Sequence, residues 1–345
     1  MSRLVRRKLI GDRYEKHGEI GRGTYGTVYE GVELATKRRI AIKKVIGKAE
    51  AGEAEAALLR LCHGACHVIQ LLDVVRQNGK IYLILEFMDS DLETIIKATD
   101  EISELSIAHV KTHLQMLLLG VQELHSRHIL HRDLKPNNLL FSKDGRAAKI
   151  SDFGMATHVD PADSERTRSL QVVTRAYRPP ELFFGQDRYD FSVDMWSVGC
   201  IFAEMLLRRP YFDGASDIDQ LSQIFHALGS PDENEWKEAA DLPFYLKFHA
   251  TNPKPLTEQF PQLSPSGIDL LSRLLALDPK KRITASDALS HAFFTEDPRP
   301  AASSDLELAD PPERAKKRPI DEVSRAAFDD GDMESSFVLK GRRIM

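Results

Sequence analysis

Hydrophobic and polar positions alternate in short runs through the first part of the chain and recur with a helical period through the rest. Tyr14–Ile20, Thr27–Glu33 and Arg39–Val45 are rich in β-branched and aromatic residues, are separated by turn residues, and predict strands. A stretch of Ala, Glu and Leu over Ala49–Leu61 predicts a helix. Two more strand-like runs, Val68–Arg76 and Ile81–Phe87, complete a small sheet-plus-helix unit. From Leu92 onward helical periodicity covers Ser106–Arg127, Ser192–Leu207, Ile218–Leu228 and Gly267–Leu277. The pattern predicts an α+β protein in two lobes: a small β-rich lobe with one helix at 14–88, and a larger, mainly α-helical lobe at 89–297. Residues 1–13 form an extension. At 298–345 Pro, Ala, Ser and charge replace the apolar period, which predicts a flexible tail.

Composition excludes some functions without changing this picture. The 345 residues are 42% hydrophobic and 29% charged, as in ordinary globular chains. A net charge of −5 argues against a general nucleic-acid binder, and no apolar run approaches the roughly 20 residues that span a bilayer. Neither nucleic acid nor membrane is expected as a direct partner. The charged start Met1–Lys8 lacks a following apolar region, so it does not read as a secretory signal. Three cysteines imply a reducing compartment, cytosolic or nuclear. Two of them lie in Cys62-His63-Gly64-Ala65-Cys66-His67, which invites a metal or haem reading. Haem attachment needs C-x-x-C-H, and this spacing is one residue longer. Zinc would need four ligands converging from a six-residue loop. The segment is read as a polar loop, and Cys200, inside an apolar run, as a core residue.

Candidate chemistry begins at Ile20-Gly21-Arg22-Gly23-Thr24-Tyr25-Gly26-Thr27-Val28. Glycines let backbone N–H groups approach phosphates closely. Alone, this pattern also suits a dinucleotide loop or a plain hairpin. A dinucleotide loop opens a helix, whereas here Thr27-Val28-Tyr29 continues as a strand. Lys43 follows in Ile40-Ala41-Ile42-Lys43, seventeen residues after Gly26. The strongest signal is His131-Arg132-Asp133-Leu134-Lys135-Pro136-Asn137-Asn138. Asp152-Phe153-Gly154 comes fourteen residues after Asn138.

In order and spacing these segments resemble the protein kinases from about Tyr14 to Phe294. The resemblance implies the bilobal kinase fold and transfer of the ATP γ-phosphate. It makes Asp133 the catalytic base, Lys135 its γ-phosphate contact in the serine/threonine form of the motif, and Thr174 a further catalytic-site residue. Asn138 and Asp152 would hold Mg²⁺, and Lys43 would bind ATP phosphates and pair with Glu55, with Glu53 as the other candidate. Leu85 is the expected gatekeeper, Glu86 and Met88 would meet adenine, and Asp91 the ribose. Asp194 would brace the catalytic loop, and Glu181 would pair with Arg282. Lys43, Asp133, Asn138 and Asp152 are all present, which counts against a pseudokinase acting as a binding module.

Val172-Val173-Thr174-Arg175-Ala176-Tyr177-Arg178 resembles the cyclin-dependent kinases, whose Val172, Val173 and Arg178 positions form a pocket for proline after the target Ser or Thr. Ala176 stands where that family has Trp. The finer resemblance is to the CDK-activating, cyclin-dependent kinase 7 type, carried by Asp89–Glu93, His131–Leu140, Asp217–Leu221 and Leu242–Phe248. It implies a cyclin H-like partner, a RING-finger assembly factor, and a nuclear setting, to which the basic cluster Arg314–Pro319 adds an import-like signal. Thr24 and Tyr25 instead match the inhibitory phosphorylation pair of cell-cycle members, the alternative reading. A mitogen-activated type would need Thr-x-Tyr, and Thr167-Arg168-Ser169 departs from it. Ser169 aligns with the activating phosphorylation site, with Thr167 nearby. Yet Ala54 and Thr157 replace two of the three cations that grip such a phosphate, leaving Arg132. Activation is therefore expected to depend on partners more than on phosphate at Ser169.

Overall fold

The computed structural model describes residues 8–98, 105–160, 166–231, 236–249 and 253–302. The basic cluster at 314–319 and the tail from 303 lie outside the described residues.

The small lobe is an antiparallel sheet of β1 (Lys8–Ile10), β2 (Tyr14–Gly23), β3 (Gly26–Glu33), β4 (Arg39–Val45), β5 (Leu71–Gln77) and β6 (Lys80–Glu86), ordered β1-β2-β3-β4-β6-β5. Strand β1 comes from the N-terminal extension and pairs Ile10 with Tyr14, a run too short to show a period in the sequence. Alternation along β4 decides what faces what. Ile40 and Ile42 join Ile10, Tyr14, Val75 and Ile84 in a cluster of their own, so Ala41 and Lys43 project from the opposite face. Helix α1 (Ala49–Leu61) covers that face. At Gly52 a Cβ would come within 3.1 Å of the Ile81 side chain, so the missing side chain lets helix and sheet approach. One turn later Glu55 is carried into the interior.

The large lobe follows with β7 (Ser90–Asp91), α2 (Leu92–Ala98) and α3 (Ile107–His125). Short strands β8 (Ile129–Leu130), β9 (Leu139–Phe141), β10 (Ala148–Ile150) and β11 (Thr157–His158) fix the ends of the intervening loops. Then come α4 (Pro180–Phe183), α5 (Ser192–Leu207), α6 (Asp217–Leu228), α7 (Leu256–Gln259), α8 (Pro265–Leu274) and α9 (Ala285–Leu289). Helix α5 is buried without a break from Val193 to Met205, which is why apolar residues surround its few polar ones on every face. Helix α8 starts earlier than its apolar period because Ser264 caps it, accepting from Gly267 N at 3.1 Å, with Pro265 at the first position. Glu181 and Arg282 form a bidentate ion pair at 2.5 and 2.7 Å, with both side chains fully buried. The packed chain continues past 297: Ala301 N donates to Ala108 O at 3.1 Å, and Lys111, buried in α3, donates to Glu296 O at 3.0 Å.

Candidate active site

Lys43 is the hub of the cleft between β4, α1 and the loop after β10. Its Nζ donates to Glu55 Oε1 at 2.5 Å and Asp152 Oδ1 at 2.6 Å. Lys43 and Glu55 are 5% and 4% exposed, so water does little to screen the cluster. Burial opposes the Lys43 charge, but Asp152 and Glu55 outweigh it and raise its pKa. Burial also pushes Glu55 above the ordinary carboxylate value. For Asp152 burial is overcome by Lys43, and the carboxylate lies below its ordinary value. Glu53 is occupied elsewhere, bidentate with Arg76 at 2.6 and 2.7 Å on the surface.

The catalytic loop is held from behind by Asp194, which accepts from His131 N and Arg132 N at 2.9 Å and from His125 Nε2 at 3.0 Å. Those bonds keep Arg132 at φ 64° and turn Asp133 toward the cleft. Asp133 Oδ1 accepts from Thr174 Oγ1 at 2.6 Å and Thr174 N at 3.1 Å, and Oδ2 from Lys135 Nζ at 2.8 Å. A carboxylate so placed is oriented for general-base work next to a cation. Asn138 Nδ2 donates to the Asp133 carbonyl at 2.8 Å, which leaves the amide oxygen for another ligand. That oxygen and the Asp152 carboxylate, at φ 63°, are hard donors of the kind Mg²⁺ takes, so the residues present fit the ion.

The glycine segment is a hairpin: Gly23 pairs with Gly26, and Thr24-Tyr25 make the turn. Ile20, Gly21 and Arg22 lie on β2, and Thr27 and Val28 on β3, with Val28 opposite Lys43. A Cβ at Gly26 would sit 2.9 Å from Lys44 O, so only glycine lets the strands close here. Thr24 is exposed, whereas the half-buried Tyr25 ring lies against Gly154. Burial, then Asp133 and Asp152, raise the Tyr25 pKa. Leu85 is buried opposite Ala41. Glu86 uses its side chain to anchor the linker, accepting from Gln70 N and Lys149 Nζ at 2.7 Å. Met88 packs against the main core, and Asp91 accepts from Thr94 N at 2.8 Å at the start of α2.

The activation segment is held differently. Ser169 and Thr167 are exposed, Ala54 is exposed on α1, and Thr157 sits in β11 opposite Leu130. Arg132 donates to Met155 O at 2.7 Å and to the Tyr189 hydroxyl at 3.2 Å, and that hydroxyl donates to Ser169 O at 2.7 Å. Further along, Val173 adopts φ 65°, a strained conformation for a β-branched residue. Arg178 holds the carbonyls there, from Nε to Val172 O at 3.0 Å and from Nη2 to Val173 O at 3.0 Å.

Comparison with known proteins decides the family. The protein kinase domain matches residues 14–294. Cyclin-dependent kinase D-1 of Oryza sativa subsp. japonica is 40% identical over 98% of this chain and 79% of the relative. The chain belongs to the cyclin-dependent kinase family. Serine/threonine-protein kinase crk1 of Schizosaccharomyces pombe is 44% identical over 84% of this kinase and 87% of its own length. The solved CAK complex of Chaetomium thermophilum bound to ATP-γ-S contains a chain matching at TM-score 0.78 and 35% identity, over 85% of this kinase and 94% of that chain. The two lobes are those of the protein kinase fold, and the protein is a serine/threonine protein kinase that binds ATP.

Several working residues carry no motif. His125 reaches Asp194 from the end of α3, Lys149 secures Glu86, and Tyr189 joins Arg132 to Ser169. None has a sequence neighbour that marks it. The Cys62–His67 loop is organised by Glu123, whose carboxylate accepts from Cys66 N and His67 N at 2.9 Å.

Proposed function

We propose that this kinase is the catalytic subunit of a cyclin-dependent, CDK-activating type of complex that phosphorylates Ser/Thr-Pro sites. The observation that carries the substrate class is the Val173 carbonyl taken up by Arg178 beside Asp133 and Thr174. A residue following the target Ser or Thr would bring an N–H to a place with no acceptor to meet it. Proline has no N–H and loses nothing. Asp133 would accept the proton of the substrate hydroxyl, and Lys135 would balance charge on the γ-phosphate. The glycine hairpin and Lys43 would hold the ATP phosphates, and Leu85, Glu86, Met88 and Asp91 would frame the nucleoside. Mg²⁺, held by Asn138 and Asp152, would neutralise phosphate charge when bound.

A cyclin H-like subunit and a RING-finger assembly factor are the proposed partners in a nuclear complex. Activation loops of other cyclin-dependent kinases and Ser-Pro repeats of the RNA polymerase II tail are the proposed substrates. The likeness to the CAK chain and to the D-type plant kinases supports this reading over a cell-cycle role. Activation would rest on the partner subunits, because Ala54 and Thr157 supply no cation for a phosphate at Ser169. Co-purification from native extract, with assay on Ser-Pro repeat peptide, tests it. A cyclin H-like subunit and robust transfer are expected, and recovery as an active monomer would overturn it.

A further inference from the structure

The segment that presents the Val173 carbonyl is tied to α6 by one carboxylate. Asp217, in the first turn of α6, accepts from Arg175 Nε at 3.0 Å through Oδ1, and its Oδ2 lies 4.0 Å from Arg178 Nη1. Arg178 in turn donates Nε to Val173 O at 3.1 Å and Nη2 to the same oxygen at 3.0 Å. Arg175 Nη1 adds a bond to Ala215 O at 3.2 Å, so both arginines reach the turn that opens α6. Val172, Val173 and Tyr177 anchor this stretch in the main core, while Ala176 adds only a methyl group, so the polar links to α6 act beside those core contacts.

We propose that Asp217 is a specificity-positioning residue, which acts through Arg178 to keep the Val173 carbonyl turned away from the substrate. This rests on the Ser/Thr-Pro reading above. The Arg178 side chain is 21% exposed, so water compensates its charge poorly, while Asp217 is 58% exposed and free to adjust. Asp133 also attracts the Arg178 charge. Without Asp217 the guanidinium is drawn toward the catalytic side, and its grip on Val173 O weakens. Val173 at φ 65° is strained and relaxes once released. Its carbonyl can then swing outward and accept the N–H of a residue other than proline. Asp217 makes no bond to Asp133, Lys135 or Thr174 among those described, so it acts on selection and not on transfer.

The test uses the intact kinase–cyclin complex with Asp217→Asn and Asp217→Glu, assayed on matched peptides carrying Ser-Pro or Ser-Ala. Wild type should favour the Ser-Pro peptide. In Asp217→Asn the ratio of the two kcat/KM values should fall about fivefold, the scale of a half-exposed ion pair. The kcat on Ser-Pro peptide should stay near wild type, and Asp217→Glu should restore the ratio. A purely structural role would lower kcat/KM on both peptides alike. Wild-type preference for proline with an unchanged ratio in Asp217→Asn overturns the inference. Absence of any wild-type preference instead overturns the Ser/Thr-Pro reading, and the inference with it.

Discussion

Two regions flank the catalytic loop and are held by opposite means. On one side the buried Lys43 and Glu55 and the partly buried Asp152 form a charge cluster, with every member ion-paired within 2.6 Å. On the other side the Arg132 guanidinium meets only a backbone carbonyl and the Tyr189 hydroxyl among the bonds described, and that hydroxyl reaches the Ser169 backbone. Charge in a poorly screened site is strong but unforgiving, because losing one partner strands another. Hydrogen bonds from a cation to neutral oxygens strand no opposite charge when lost and do not wait for a modification. The difference teaches where control can act: the phosphate-handling side is built in, and the activation side is adjustable.

Substitutions can break or sharpen this contrast. The largest effect is expected from Asp133→Asn, which removes the base: phosphate transfer should fall about 10³-fold, while ATP affinity by calorimetry stays close to wild type. Asp194→Asn comes next. It weakens three accepted bonds to a fully buried carboxylate and should cost about 3 kcal/mol in denaturant unfolding. Burial alone would raise the Asp194 pKa, but the His125 hydrogen bond and charge bring it below the ordinary value. Its stabilisation is therefore complete above about pH 4 and lost as pH falls through the lower folded-state value. The gap between wild type and Asp194→Asn should be constant near neutrality and narrow in acid. Tyr189→Phe should have a smaller effect. Loss of the hydroxyl bridge should lower kcat about fivefold, the scale of about 1 kcal/mol, with KM for ATP unchanged in steady-state assays.

Much of the site was legible in the sequence because the chemistry requires fixed residues at fixed spacing. Asp133, Asn138 and Asp152 lie within twenty residues, and the loop between them needs nothing from afar to be recognised. Helix α1 was legible to the residue, and the structure decides between its two glutamates, with Glu55 on Lys43 and Glu53 on Arg76. What stayed hidden depends on long-range approach. Tyr189 and Ser169 are twenty residues apart, and Asp217 is 39 from Arg178; no period or motif links either pair. Strand β1 was missed because three residues cannot display alternation, and the start of α8 because a cap displaced it from its apolar run.

The central claim is that the described stretch around Ser169 is held in place without phosphate on that residue. Kinase activity of the assembled complex carrying Ser169→Ala, measured on Ser-Pro peptide beside wild type, addresses it directly. Since Tyr189 uses the Ser169 carbonyl and not its hydroxyl, activity within about twofold of wild type is predicted. A loss of tenfold or more would show that phosphate at Ser169 is required, and would contradict the account.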